Sequence, residues 1–324
     1  MLSAIIPTRD RANFLALCLD SINAQTLPVE QFEVLVVDNG STDDTKQVVE
    51  SFRRRCPNVR YIYDATPGLH VGRHRGMNAA RGDVLVFADD DIEAFPTWLA
   101  AIDDAFSDPK VALVGGNNLP KFVGAPPDWL LELWAEPGHI GGRCLASLSI
   151  LELPEGVREI DPMYVWGCNF AIRKEVLMKA GGFHPDGMPR ELIRFRGDGE
   201  SHVSRWISKQ GLKCMFHSGA SVYHKVTSER MTLRYFHQRG FNQGISDSYT
   251  KLRSRSAQVW ITTRLPYQVA RWAWRKVKAA SKQAQINAAT DALRSGYREG
   301  FSFHQDAYRA DPEVREWVHR KQYY

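Results

Sequence analysis

The sequence predicts an α/β fold whose first half is a parallel sheet covered by helices on both faces. Two observations lead to it. Short apolar runs alternate with stretches of helical periodicity, as strand–helix–strand crossovers require, and each run ends at polar residues, where such sheets bind their ligands. A 44% hydrophobic content over 324 residues is enough for at least one full core.

Leu2 to Pro7 is a short apolar run, and Arg11 to Ile22 carries apolar residues at helical spacing, giving strand, loop, helix. Phe32 to Val37, ending at Asp38, is the second strand, followed by a helix over Thr42 to Arg55 with Ser41 or Thr42 as its N-cap. Val59 to Tyr63 is a third strand and Gly72 to Ala80 a helix. Val84 to Ala88 is a fourth strand that delivers Asp89, Asp90 and Asp91, and a further helix begins near Pro96 to Trp98. Thr8, Asp38 and the acidic triplet therefore emerge at one edge of the sheet. From Lys121 the pattern loosens into VGAPPDWLLELW, then tightens at Tyr164 to Arg173 and Leu212 to Tyr223, so the second half reads as mixed. Beyond Thr227 helical composition rich in Arg, Lys, Gln, Ala and Trp takes over. The expected division is a domain over residues 1–225 and a mainly helical extension over 226–324.

Charged residues make up 24% of the chain and the net charge is +5, which lacks the dense basic stripe of a nucleic-acid binder. Five cysteines are scattered without a C-x-x-C pair, as suits a reducing environment. The opening MLSAIIPTRDR has no basic leader, and no segment reaches the roughly 18 to 20 apolar residues of a membrane span. A cytoplasmic location, or a peripheral one at the inner face of the membrane, is expected.

Neighbouring carboxylates at a strand tip repel unless a cation or a hydrogen-bond network compensates. A hard divalent ion suits Asp89, Asp90 and Asp91, because Mg²⁺ and Mn²⁺ favour one or two carboxylates plus phosphate oxygens. A solvated turn that caps the following helix is the competing reading.

IIPTRDR, VLVVDNGSTDDT and PGLHVGRHRGMNAARGDVLVFADDD resemble, in order and spacing, the blocks of family two glycosyltransferases. The resemblance covers about residues 3 to 245 and implies the type A glycosyltransferase fold, a Rossmann-like mixed sheet with a C-terminal helical extension. It assigns Pro7, Thr8, Arg9 and Asp38 to the nucleoside. Arg73 falls in the arginine position of the PGLxxxR block, where it would contact the nucleotide, although His74 replaces the asparagine that usually follows. The acidic cluster resembles the D-x-D motif, so Asp89 would face the ribose, Asp91 would bind metal, and Asp90 would sit at the variable centre with the nucleotide or share the metal indirectly.

A fourth block, WGCNFAIRKEVLMKAGGFHPD, resembles the segment that lines the acceptor side, with Trp166, Gly167 and Asn169 at the sugar pocket and Gly181 and Gly182 ending its helix. Core packing of Trp166 and Phe170 is the competing reading. His184 stands where the family commonly has an acid, and no role is assigned to it. The fifth block, FRGDGESHVSRWISKQG, stands where the family places its catalytic base. Asp198, Gly199 and Glu200 replace an adjacent acidic pair; Glu200 is preferred as the base and Asp198 is the alternative. His224, in ASVYHKV, would touch the metal or the diphosphate, or serve structurally. RMTLRYFHQRGFNQG resembles a segment that closes over the diphosphate, Arg being suited to phosphate; a solvated basic helix is equally consistent with it.

The tail RLPYQVARWAWRKVKAASK has the composition of an interfacial helix, which would contact a membrane, the catalytic domain or a second copy of the chain. The resemblance implies an inverting transferase that uses Mn²⁺ or Mg²⁺ and moves a sugar from a nucleotide-diphospho-sugar, UDP-linked by family frequency, to a carbohydrate or lipid-linked acceptor hydroxyl in polysaccharide, lipopolysaccharide or other glycoconjugate synthesis. The alternative is a sugar-nucleotide-binding module or partner subunit whose chemistry has lapsed, which the altered acidic pair keeps open. A nucleotidyltransferase would need a Gly-rich triphosphate cradle, and a dehydrogenase G-x-G-x-x-G after the first strand; neither is present.

Overall fold

The computed structural model describes residues 1–138, 140–254 and 280–324. The expected interfacial helix with Trp272 and Trp274 lies almost wholly outside the described residues.

Four strands, β1 (Leu2–Thr8), β2 (Phe32–Asp38), β3 (Val59–Tyr63) and β4 (Val84–Ala88), form a parallel block in the order β3-β2-β1-β4. Their side chains alternate between two cores. Ala4, Ile6, Val34, Val36 and Val86 pack with α1 (Ala12–Asn23), α2 (Thr45–Arg53) and α4 (Trp98–Ala105). Ile5, Leu35, Val37, Leu85 and Phe87 face the opposite way, against α3 (Leu69–Ala79), α6 (Lys174–Ala180) and α7 (Ser201–Gln210). Burial on both faces is why β1, β2 and β4 read as largely apolar runs, whereas β3, at the sheet edge, is only partly buried.

The helix α2 begins later than expected, and neither Ser41 nor Thr42 caps it. Asp43 instead accepts from the Thr45 N–H at 3.1 Å and the Ala12 N–H at 2.9 Å, which ties the starts of α1 and α2 together. Helix α6 ends as expected, with Gly181 in the left-handed region at φ +90°.

Beyond β4 the sheet becomes mixed. The strand β11 (Asn169–Arg173) inserts antiparallel between β4 and β6 (Val111–Gly115), pairing Asn169 with Ala88, and β12 (Lys213–His217) and β10 (Val157–Glu159) complete eight strands. A second sheet runs β5-β13-β7-β9-β8, from β5 (Ile92–Ala94), β13 (Val222–Val226), β7 (Asn118–Phe122), β9 (Ile150–Glu152) and β8 (Arg143–Leu145). There β13 pairs antiparallel with β5, placing His224 opposite Ile92, and the Lys225 N–H donates to the Asp91 carbonyl at 3.0 Å. Two strands distant in sequence are thus registered against the acidic triplet.

The chain passes residue 226 within β13 and continues into α8 (Leu233–Arg253), with α9 (Ala280–Ala310) and α10 (Pro312–His319) near the C-terminus. Val226, Phe236, Ile286 and Ala289 share one buried cluster with Trp129 and Trp134 of α5 (Asp128–Ala135). The helices α8 and α9 run in the same direction at very close approach. A Cβ added to Gly240, Gly244, Gly296 or Gly300 would lie 2.1, 2.1, 2.0 or 1.9 Å from a carbonyl oxygen of the facing helix. Glycine at four-residue spacing on both helices is what lets the backbones touch. Among the described residues no helix is long and apolar enough to cross a membrane.

Candidate functional site

The ends of β1, β2 and β4 bring Thr8, Asp38 and the acidic triplet to one edge, with Thr8 in register with Asp38. Asp38 is buried; it accepts from the Ser41 N–H and the Tyr61 hydroxyl, each at 2.7 Å. Pro7 ends the apolar stretch of β1 beneath this loop, where a Cβ on Gly72 would meet it at 3.0 Å, while the exposed Arg9 pairs with Asp10 at 3.6 Å.

The triplet splits by environment. Asp90 is buried, accepts from the Thr8 hydroxyl at 2.7 Å and pairs with Arg11 at 3.0 Å. Burial, partly offset by Arg11 and reinforced by the charge of Asp91, pushes its carboxyl up to about 7. For Asp91 burial also works against ionisation, but His224 and Arg11 outweigh it and hold the carboxyl well below the usual range. Its oxygens lie 2.8 Å from Arg11, 3.4 Å from His224 and 3.6 Å from Arg230. The side chain of Asp89 is the most open of the three and pairs with Arg73 at 3.6 Å.

Arg73 is only 2% exposed. Its guanidinium stands beneath the site, 3.6 Å from Asp89 and 3.4 Å from Glu200, over the Phe183 ring at 5.3 Å. Burial opposes this charge, but Glu200 and Asp89 more than compensate and raise its pKa. Gly167 lets the guanidinium lie against the backbone, since a Cβ would come within 2.1 Å of it. The Gly167 N–H also donates to Glu200 at 3.3 Å. Glu200 is thereby gripped by a cation and an amide while remaining partly open to the cleft.

Asp198 faces the other way. Between the two acids Gly199 adopts φ +52°, a conformation that favours glycine, and the turn sends the side chains to different partners. Asp198 accepts from His184 Nδ1 at 2.6 Å and Thr250 at 2.7 Å, and pairs with Arg205. Burial would raise this carboxyl; the charges of His184 and Arg205 and the His184 hydrogen bond hold it well below the usual range. Its three partners lie within the fold, and one of them is His184, which the sequence left without a role.

Asn169 is also committed internally, accepting from Trp98 Nε1 and donating to the Ala220 carbonyl, both at 2.9 Å. Trp166 donates to the Met163 carbonyl at 3.1 Å and packs between two apolar clusters. Of the three expected pocket residues, Gly167 hydrogen-bonds to Glu200. The site also gains residues that sequence reasoning passed over. Arg11 stands only three residues past Thr8, and Cys168 immediately before Asn169.

Asp89, Cys168 and His224 offer ligand atoms that all lie within 4.8 Å of one another. His224 is 2% exposed and its Nδ1 has no hydrogen-bond partner. A buried imidazole with one unpartnered nitrogen, grouped with a carboxylate and a thiol, fits a divalent cation. Burial, with the charges of Asp89, Asp91 and Glu200, keeps the Cys168 thiol protonated far above its usual range.

A family model described as glycosyl transferase family 2 matches residues 3–181, more than half of the 324-residue chain. Glycosyltransferase AglE of Haloferax volcanii is 37% identical over 215 residues, 66% of this chain and 63% of that protein. Glucosyl-dolichyl phosphate glucuronosyltransferase of the same organism is 24% identical over 239 residues, 70% of this chain and 69% of that protein. The chain thus spans less than two thirds of AglE. Among solved structures, mannosyltransferase PcManGT from Pyrobaculum calidifontis in complex with GDP-Man and Mn²⁺ aligns with TM-score 0.54 at 20% identity, covering 99% of this chain and 83% of that one. S. aureus TarS 1-349 in complex with UDP-GlcNAc aligns with TM-score 0.50 at 18% identity, covering 95% and 91%.

Proposed function

The chain belongs to glycosyl transferase family 2 and has the type A glycosyltransferase fold, and we propose that it moves a sugar from a nucleotide-diphospho-sugar, UDP-linked in the first instance, to an acceptor hydroxyl with inversion. The observation that carries this reading is Glu200, held by Arg73 and the Gly167 amide on the same guanidinium that pairs with Asp89. One buried cation thereby couples the candidate base to the strand tip where the donor would lie.

In this mechanism Thr8, Asp38 and Asp89 line the donor side. Glu200 takes the proton of the acceptor hydroxyl as that oxygen attacks the anomeric carbon and the nucleoside diphosphate departs from the opposite face. Such base catalysis is worth roughly 10²–10⁴ in rate. Arg73 orients Glu200. Mn²⁺ or Mg²⁺, held through Asp91, Asp89 and His224, would supply charge neutralisation on the departing diphosphate. Asp198 is a structural acid in this account. A carbohydrate or lipid-linked acceptor fits the reading, and the extension after residue 225 would support the catalytic part.

The test uses the purified chain with Mn²⁺, UDP-, GDP- and TDP-sugars and an acceptor panel, following nucleoside diphosphate release. Acceptor-dependent release with one donor is expected. A donor that raises the thermal midpoint yet is never turned over would replace this reading with that of a binding module.

A further inference from the structure

We propose that Asp89, Cys168 and His224 form a carboxylate–thiolate–imidazole set that captures a soft divalent cation such as Zn²⁺, and that this cation closes the donor site. The second clause rests on the proposed transferase activity; the first stands on the side chains alone.

Mn²⁺ and Mg²⁺ are oxygen seekers and gain little from a thiol. A sulfur, an imidazole nitrogen and one carboxylate oxygen are the donor types that suit Zn²⁺, with three protein ligands leaving one position open. All three atoms lie within 4.8 Å of one another, so modest side-chain movement brings them around one ion. Two of the side chains are buried: Cys168 and His224 are 3% and 2% exposed. The His224 Nε2 faces Arg230 at 3.2 Å and Asp91 at 3.4 Å, which leaves Nδ1 as the nitrogen without a partner. Among the described residues no other group of three His, Cys, Asp or Glu side chains comes together this way.

The fold brings the set together from three distant strands. Asp89 follows β4, Cys168 precedes β11 at the point where Asn169 pairs with Ala88, and His224 lies on β13. As the sulfur–metal bond forms, the thiol gives its proton to solvent, and the resulting thiolate and Asp89 together offset the charge of the ion. An ion so bound would draw Asp89 away from Arg73 and occupy the edge where the diphosphate has to sit.

Cobalt titration of the full chain tests ligation directly, because a cysteine ligand to Co²⁺ produces thiolate-to-metal charge-transfer absorption that Zn²⁺ abolishes by displacement. One equivalent of this absorption is expected in the parent. It should vanish in Cys168→Ser and Cys168→Ala, and its affinity should fall by at least roughly tenfold in His224→Gln, which keeps all five cysteines. Circular dichroism confirms that each variant is folded; if both Cys168 variants unfold, His224→Gln decides. Undiminished absorption without Cys168, unchanged affinity in His224→Gln, or no absorption in the folded parent overturns the proposal. Zn²⁺ should also suppress Mn²⁺-supported transfer by at least about tenfold. Ligation without any transferase activity would defeat the proposed function and leave the metal set standing, whereas transfer without ligation would do the reverse.

Discussion

Replacing Asp198 with asparagine is expected to cost stability and leave the chemistry largely intact. The carboxylate is 4% exposed and accepts from His184 at 2.6 Å and Thr250 at 2.7 Å while pairing with Arg205. Asparagine keeps the shape but removes the charge, and its NH₂ group has to face one of these donors. Breaking a buried ion pair costs about 3–5 kcal/mol, whereas losing a hydrogen bond to a charged group costs about 1.5–3 kcal/mol. The Arg205 side chain is 41% exposed, so water restores much of its solvation and the lower range applies. A loss of about 2–3 kcal/mol corresponds to a drop of roughly 4–12 °C in Tm. The Asp198 carboxyl is held below its unfolded value, so its contribution is complete above a pH of about 4 and disappears as pH falls toward the folded value. The parent-to-variant gap, measured by thermal circular dichroism, should be full at neutral pH and shrink in acid. A variant with unchanged Tm and transfer reduced by roughly 10² or more would make Asp198 the base and refute the reasoning.

Gly244→Ala would set a methyl 2.1 Å from the Tyr297 carbonyl oxygen; overpacking of about 1–3 kcal/mol outweighs the gain of about 1 kcal/mol in helix propensity, so Tm should fall, and an equal or higher Tm would contradict the close helix contact. Arg73→Lys puts a single ammonium where a planar fork spans Asp89 and Glu200, so kcat should drop by roughly tenfold or more with donor KM little changed; unchanged kcat would remove Arg73 as the positioning residue. Burial lowers His70, His202 and His304 to about 4 and His74 to about 3. Neutral burial of these rings stabilises the fold above their unfolded value of about 6.5, and this is lost as pH falls toward 4, so Tm should decline steadily from pH 6.5 to 4.5; a flat profile over that window would contradict it.

How much of this was legible in the sequence depended on how local the cause was. Strands β3 and β4 were readable to the residue, as Val59–Tyr63 and Val84–Ala88: β4 is buried throughout and reads as a bounded apolar run, and the half-buried edge strand β3 is a β-branched and aromatic stretch bounded by Asn58 and Asp64. Three-residue strands such as β5 and β10 carry too little pattern to be read. The antiparallel insertion of β11 was equally hidden, since strand order is set by tertiary pairing. At the site, the strand-tip residues Thr8, Asp38 and Asp89 to Asp91 were visible because strand ends are local features. The different partners of Asp198 and Glu200 were not, because they are His184, Arg205 and Thr250 on one side and Arg73 on the other, all distant in sequence or set by packing. Arg73 was legible as a site residue, but its pairing with both Asp89 and Glu200 was not, because tertiary packing brings those acids together. The paired glycines at 240 and 244, and at 296 and 300, were a usable signal, since two helical segments with four-residue glycine spacing invite close packing.

The account stands most directly on the turnover of Glu200→Gln, measured with saturating acceptor and the donor that the parent accepts. The amide retains the size of the side chain and its contact with the Gly167 N–H, so donor KM should stay near that of the parent, while kcat falls by roughly 10²–10⁴. A kcat for Glu200→Gln close to that of the parent would contradict the central claim.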